Sequence, residues 1–177
     1  MVNIELKARL KDFDRAVQIA SELQAEDCGA MRQIDTYFNA RLGRLKIRQI
    51  NGQASGQVVA YDRPDKTEAR ACQYDLAEAP DAAALAAALE RALGIRCVVR
   101  KTRRLFLWKN VRIHLDQVEG LGNFLEFEAV LGPKDDPAEA RRDLAALSAR
   151  FGVEREDILP ASYGDMIEPG AGTQDLP

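Results

Sequence analysis

Val2, Ile4, Leu6, Ala8 and Leu10 alternate with Asn3, Glu5, Lys7 and Arg9. A period of two predicts a strand with one apolar and one ionisable face. After Asp12, an N-cap residue type, Phe13, Ala16, Val17, Ile19, Ala20 and Leu23 recur at helical spacing, predicting a helix to about Glu26. Strands are expected at Gln33–Phe38, Leu45–Ile50, Gln57–Tyr61 and Ala69–Leu76, the middle two joined by a tight turn at Asn51-Gly52. Asp81 caps an alanine-rich helix whose Leu85, Leu89 and Leu93 form a packing stripe and which Gly94 stops. A long strand over Val98–Trp108 precedes a hairpin over Val111–Leu131, and a last helix spans Pro137–Phe151 with Leu144, Leu147 and Phe151 towards the core. The pattern gives one α+β domain of about eight strands and three main helices over residues 1–168. Residues 169–177, too poor in apolar side chains to order themselves, read as a disordered tail.

The strands repeat one division of faces. In the hairpin, Val111, Ile113 and Leu115 oppose Arg112, His114 and Asp116, and Leu125, Phe127 and Ala129 oppose Glu126 and Glu128. Lys46 and Arg48 oppose Leu45 and Ile47; Arg70, Cys72 and Tyr74 share a side; Lys101 and Arg103 share another. An isolated strand of this kind has a solvated face. Repeated on every strand, with acids gathered on the first strand and the hairpin and bases elsewhere, the pattern instead suits a sheet closed into a barrel. Its interior charges then require ligand, ions or water, because unpaired buried charge is costly. Glu126 and Glu128, roughly 7 Å apart along one strand face, join Glu5 and Asp116 as an oxygen-rich set for a hard divalent cation, Mg²⁺ or Mn²⁺. The arginines and lysines suit a polyanion with several phosphates.

Composition changes this picture little. With 25 Lys and Arg against 28 Asp and Glu, the net charge of −3 gives no global argument for nucleic acid or membrane binding, so any electrostatic function is local. No apolar run approaches the roughly 20 residues of a membrane helix, and the charged N-terminal strand is no signal peptide, so a cytoplasmic location is expected. Cys28, Cys72 and Cys97, with a single histidine in the chain, form no zinc pattern and read as reduced, mostly buried thiols.

Five segments, in order, resemble the CYTH superfamily of triphosphate tunnel metalloenzymes. They are Asn3-Ile4-Glu5-Leu6-Lys7 against the signature Glu-x-Glu-x-Lys, Gln33-Ile34-Asp35-Thr36-Tyr37-Phe38, Leu45-Lys46-Ile47-Arg48, Arg100-Lys101-Thr102-Arg103, and His114-Leu115-Asp116 followed by Glu119 to Glu128. The resemblance covers Ile4 to about Ile167, and the terminal Ala161 to Ile167 is closest to the class IV adenylyl cyclase-like branch. It implies a closed antiparallel eight-stranded β-barrel, the triphosphate tunnel, with helices packed on the outside, a divalent metal, and triphosphate substrates. Carried over by position, Glu5, Asp116, Glu126 and Glu128 are the metal-side acids. Lys7, Lys101 and Arg103 are the candidate catalytic cations, and Lys46, Arg48, Arg63, Arg70, Arg112 and His114 the candidate substrate contacts. Two positions depart from the family pattern. Asn3 stands where the first signature Glu falls, removing one negative charge from the metal side, and Arg63 is the candidate replacement for a lysine before Pro64.

The leading expectation is a metal-dependent enzyme that converts ATP to cyclic AMP and pyrophosphate. A hydrolase of inorganic or organic triphosphates is the first alternative, and a nucleotide- or polyphosphate-binding module without catalysis the second. Tyr37 and Tyr163 are expected in core or rim packing, and a homodimer through the barrel exterior would fit.

Overall fold

The computed structural model describes residues 2–62 and 68–167. Eight strands, β1 (Val2–Arg9), β2 (Glu26–Phe38), β3 (Arg44–Ile50), β4 (Gly56–Asp62), β5 (Arg70–Ala79), β6 (Ile95–Trp108), β7 (Val111–Val118) and β8 (Gly122–Leu131), close into an antiparallel barrel. Their order around it is β1-β5-β4-β3-β2-β6-β7-β8, with β1 completing the ring against β8. Helices α1 (Phe13–Glu22), α2 (Ala82–Leu93) and α3 (Pro137–Arg150) pack outside, and a short α4 (Tyr163–Met166) follows a 3₁₀ turn at Arg155–Asp157.

Strand alternation sorts side chains into two environments. Outside, Ile4, Leu6, Ala8, Phe106, Ile113, Leu115, Leu125 and Phe127 are covered by Ala16 and Ala20 of α1 and Leu144 and Leu147 of α3. A second outer cluster joins Phe38, Ile47 and Ala79 to Ala82 of α2, with Leu85 and Leu89 packed against it. The opposite residues on the same strands point into the barrel, so packing helices on the apolar outer face leaves the charge enclosed. The three long helices start on side-chain caps from Asp12, Asp81 and Asp136, each satisfying an otherwise orphaned backbone N–H.

The structure corrects the expected elements in several places. Helix α1 ends at Glu22 rather than Glu26, because the backbone turns at Leu23 and Gln24, the latter with φ 55°, and β2 starts at Glu26. The first half of β2 lacks the alternation that marks a strand, and a register shift between Asp27 and Ala30 interrupts it. Leu93, expected in the α2 stripe, is 37% exposed because the helix end overhangs the sheet. Cys28 is exposed beside that bulge, whereas Cys72 and Cys97 are buried as expected. Arg63 and the expected tail at 169–177 lie outside the described residues. Among those described, no helix is long and apolar enough to cross a membrane.

Candidate active site

Inside the barrel lies a cavity of about 350 Å³ whose wall includes Asn3, Glu5 and Lys7 of β1, Gln33 of β2, Lys46 and Arg48 of β3, Lys101 and Arg103 of β6, Arg112 and His114 of β7, and Glu126 and Glu128 of β8. Each strand contributes through alternate positions, as the inward parity requires.

One end of the barrel is closed. After α3 the chain crosses back over β1, where Leu159 N–H donates to the Lys7 carbonyl, and α4 then lies across the end. Tyr163 enters the barrel beneath it, 3% exposed, among Tyr37, Val99, Val118 and Phe124. A Cβ on Gly164 would come within 3.3 Å of the Tyr37 ring and Cys97 Sγ, so the residue beside Tyr163 is seated against the wall. Asp165 fixes the segment from outside, accepting from Arg44 at 2.9 Å and Arg96 at 2.8 Å while closing a capping box with Ser162. Tyr37 and Tyr163 are thus deep in the barrel rather than on its rim. At the opposite end Leu76 is 44% exposed and the Arg112 side chain 46%, and this is the mouth.

Two fully buried carboxylates organise the cations near the closed end. Asp35 receives both Arg48 nitrogens, Nε at 2.7 Å and Nη2 at 2.9 Å, and Lys46 at 2.8 Å. Asp116 receives Arg103 Nε and Nη2, each at 2.6 Å, and the Tyr163 hydroxyl at 2.9 Å. Lys101 sits between them, 3.4 Å from Asp116 and 3.9 Å from Asp35. Forked arginine pairs of this kind fix both position and orientation. Despite burial, the facing cations hold the Asp35 and Asp116 carboxyls well below the usual carboxylate range. Burial, aided by the neighbouring arginines, lowers Lys101 to about 7 and Lys46 to about 8. Lys7 approaches Glu126 at 2.6 Å and stands 3.9 Å above the Tyr163 ring.

The predicted residues divide into those on the cavity wall and those behind it. Lys7, Lys46, Arg48, Lys101, Arg103, Arg112, His114, Glu5, Glu126 and Glu128 are brought together on the wall. Asp116, expected to bind metal, is 0% exposed and its oxygens are taken by Arg103, Lys101 and Tyr163, so it serves as an anchor for cations. Arg70, expected to contact substrate, is buried away from the cavity wall, donating to the Leu159 carbonyl and lying 3.5 Å from Glu5. Asp35 was visible only as part of a sequence match; its inward parity with Gln33 and Tyr37 was the available signal. His114 contacts Glu126 at 3.3 Å, and burial, with Arg103 second, lowers its pKa.

Among the described residues no group of three or more His, Cys, Asp or Glu side chains is set to hold a metal ion alone. A smaller oxygen set exists. Glu5 and Glu128 stand directly opposite each other across the β1/β8 pair, an arrangement that costs energy unless cations lie nearby. Asn3 donates through its amide nitrogen to Glu128, which leaves its buried Oδ1 without a hydrogen-bond partner. Glu126 is committed to Lys7, Arg103 and His114. Two carboxylates and an amide oxygen suffice for an ion of the Mg²⁺ type, which takes one or two carboxylates and completes its shell with phosphate and water oxygens.

Known proteins share this architecture. A Methanocaldococcus jannaschii protein named as a candidate adenylate cyclase is 22% identical over 173 residues, covering 92% of this chain and 97% of its own. A solved Pyrococcus horikoshii structure superposes with a TM-score of 0.83 at 26% identity, over 93% of this chain and 99% of that one. A Hippeastrum protein described as a candidate adenylyl cyclase with a dominant triphosphatase activity shares the fold at 17% identity and a TM-score of 0.65, over 93% and 94% of the two chains. Residues 1–163 match the family described as the CYTH domain. The chain belongs to the CYTH domain family.

Proposed function

We propose that this protein is a metal-dependent enzyme acting on triphosphates, with ATP conversion to cyclic AMP and pyrophosphate as its leading reaction. The observation that carries the reading is the concentration of Lys7, Lys46, Arg48, Lys101 and Arg103 around a cavity closed at their end and open at the other. Asp35 and Asp116, with Glu126 for Lys7, hold these groups in place without fully neutralising them. A linear triphosphate entering from the mouth brings its terminal phosphates to the cation-rich end.

Glu5, Glu128 and the Asn3 amide oxygen are the residues that would hold Mg²⁺ or Mn²⁺, together with phosphate oxygens. When bound, such an ion supplies Lewis-acid polarisation of a phosphoryl oxygen. The chain's own contribution is positioning and charge. Arg103 and Lys101, already oriented by Asp116, face the oxygens on which negative charge grows as the ribose 3′-hydroxyl attacks the α-phosphorus and pyrophosphate leaves. Arg48 and Lys46 hold the departing phosphates, and Tyr163 with its surrounding apolar cluster excludes water from that end.

The Hippeastrum neighbour favours a second reading, in which water attacks the terminal phosphorus and inorganic phosphate departs. One assay separates these readings: ATP, inorganic triphosphate and thiamine triphosphate, each with Mg²⁺ and with Mn²⁺, analysed for cyclic nucleotide and for phosphate. Cyclic AMP with pyrophosphate establishes the cyclase. ADP with phosphate alone replaces it by the hydrolase, and binding without turnover of any compound leaves a phosphate-binding module. Glu128→Gln should weaken metal dependence, raising the metal concentration needed for half-maximal rate; an unchanged requirement would remove Glu128 from the metal set.

A further inference from the structure

The proposed reaction uses the closed end of the cavity and the β1/β8 side, leaving the opposite wall at the mouth unassigned. Along β2 the inward positions run Met31, Gln33, Asp35 and Tyr37, from the mouth towards the closed end, about 7 Å apart at each step. Gln33 is therefore one step outward from Asp35, the anchor of Lys46 and Arg48. It is 4% exposed, its Nε2 is 3.3 Å from Met31 Sδ, and its Oε1 is buried with no hydrogen-bond partner. A thioether sulfur accepts but does not donate, so this orientation of the amide is the one that gives its contact with Met31 a hydrogen bond. It leaves a carbonyl oxygen as an unmatched acceptor on the cavity wall. Ile50, the β3 partner of Gln33, is half-buried and apolar, and Lys101 is the partner of Gln33 on β6.

We infer that this part of the mouth is a nucleobase pocket, in which Gln33 Oε1 accepts from an exocyclic amino group while Met31 and Ile50 pack on the ring. The inference rests on the triphosphate reading and names its specificity. A base one step outward from Asp35, Lys46 and Arg48, and beside Lys101, matches the order base, sugar, triphosphate along a nucleotide. Adenine and cytosine carry the required donor at the ring edge. Hypoxanthine and uracil present a carbonyl there, setting acceptor against acceptor, which a buried amide rejects more strongly than a lost apolar contact would.

Dissociation constants of the full chain for ATP, ITP, CTP, UTP and inorganic triphosphate, measured by calorimetry in Mg²⁺, test this. ATP should bind tighter than ITP, and CTP tighter than UTP, by on the order of 10- to 100-fold. Gln33→Leu should bring each ratio towards one. CTP ranking with ATP or below it supports the same assignment and shows whether ring size is also read. If the wild-type chain fails to separate ATP from ITP yet binds inorganic triphosphate as tightly, the base pocket is overturned and the triphosphate reading stands. If none of the five binds, the triphosphate reading fails and this inference with it. Should Gln33→Leu not fold, the wild-type ATP to ITP ratio decides alone.

Discussion

Asp116 shows how a residue's chemistry depends on where its neighbours point. By sequence it is one more acid on an acidic hairpin; in the barrel its oxygens hold Arg103, Lys101 and Tyr163. Asp116→Asn removes the nearest counter-charge of Arg103 and Lys101, leaving them Glu126 at 2.9 Å and Asp35 at 3.9 Å respectively, and breaking a buried pair from one side costs about 3–5 kcal/mol. Denaturant unfolding should show that loss, and turnover should fall even where the variant is folded, because Arg103 is no longer aimed. A change near zero would make the pair dispensable. Asn3 is the complementary case. Its orphan Oδ1 and its hydrogen bond to Glu128 suit a neutral ligand beside Glu128, so Asn3→Glu should tighten Mn²⁺ binding in the presence of triphosphate. Manganese titration followed by electron paramagnetic resonance measures this directly; no tightening would exclude the position from the metal shell.

At the scale of elements, the closing segment is a short helix held by its buried Tyr163, a cap and two ion pairs. Ser162 caps α4, and Asp165 joins it to Arg44 on β3 and Arg96 on β6. Ser162→Ala removes the cap, at a cost of about 1 kcal/mol. Hydrogen exchange should then accelerate between Leu159 and Ile167 while the β6/β7 and β7/β8 ladders stay protected. Equal acceleration everywhere would mean that the segment unfolds only with the barrel. Strand β2 carries the other lesson at this scale. Its second half supplies Asp35, Gln33 and Tyr37 to the interior, and its first half wraps β6 through a bulge that no alternation announces.

For the whole molecule, the cation-rich end couples ligand binding to pH. Lys101 and Lys46 have pKa values lowered to about 7 and about 8, against an ordinary 10.5. Between those values the unfolded chain binds more protons than the folded one, so these two groups make the ligand-free protein more stable as pH rises from about 7 to about 9. A triphosphate reverses the bias, since its negative charge favours the protonated lysines. Binding at pH 8 should therefore take up protons, and affinity should fall as pH rises. Calorimetry in buffers of different ionisation enthalpy checks this; no proton uptake would show that both lysines are already charged. Chelation should abolish turnover without unfolding the chain, because the barrel is closed by strand pairing and packed by helices rather than by an ion.

What the sequence determined by itself was whatever follows from local periodicity. Alternation placed Glu5, Lys7, Lys46, Arg48, Lys101, Arg103, Glu126 and Glu128 on one face of their strands, and caps at Asp12 and Asp81 started the first two helices. The suggestion that the charged face was an interior came from seeing that division on every strand. Which of those charges line the cavity is set by the tertiary fold. Asp116 and Arg70 have the right parity yet are consumed by neighbours, Asp35 becomes an anchor, and Tyr163, distant in sequence, closes the end of the barrel. The reason is physical: a strand's period fixes the face a side chain takes, but the partner of a buried charge is set by register between strands and by what the chain folds over the barrel's end.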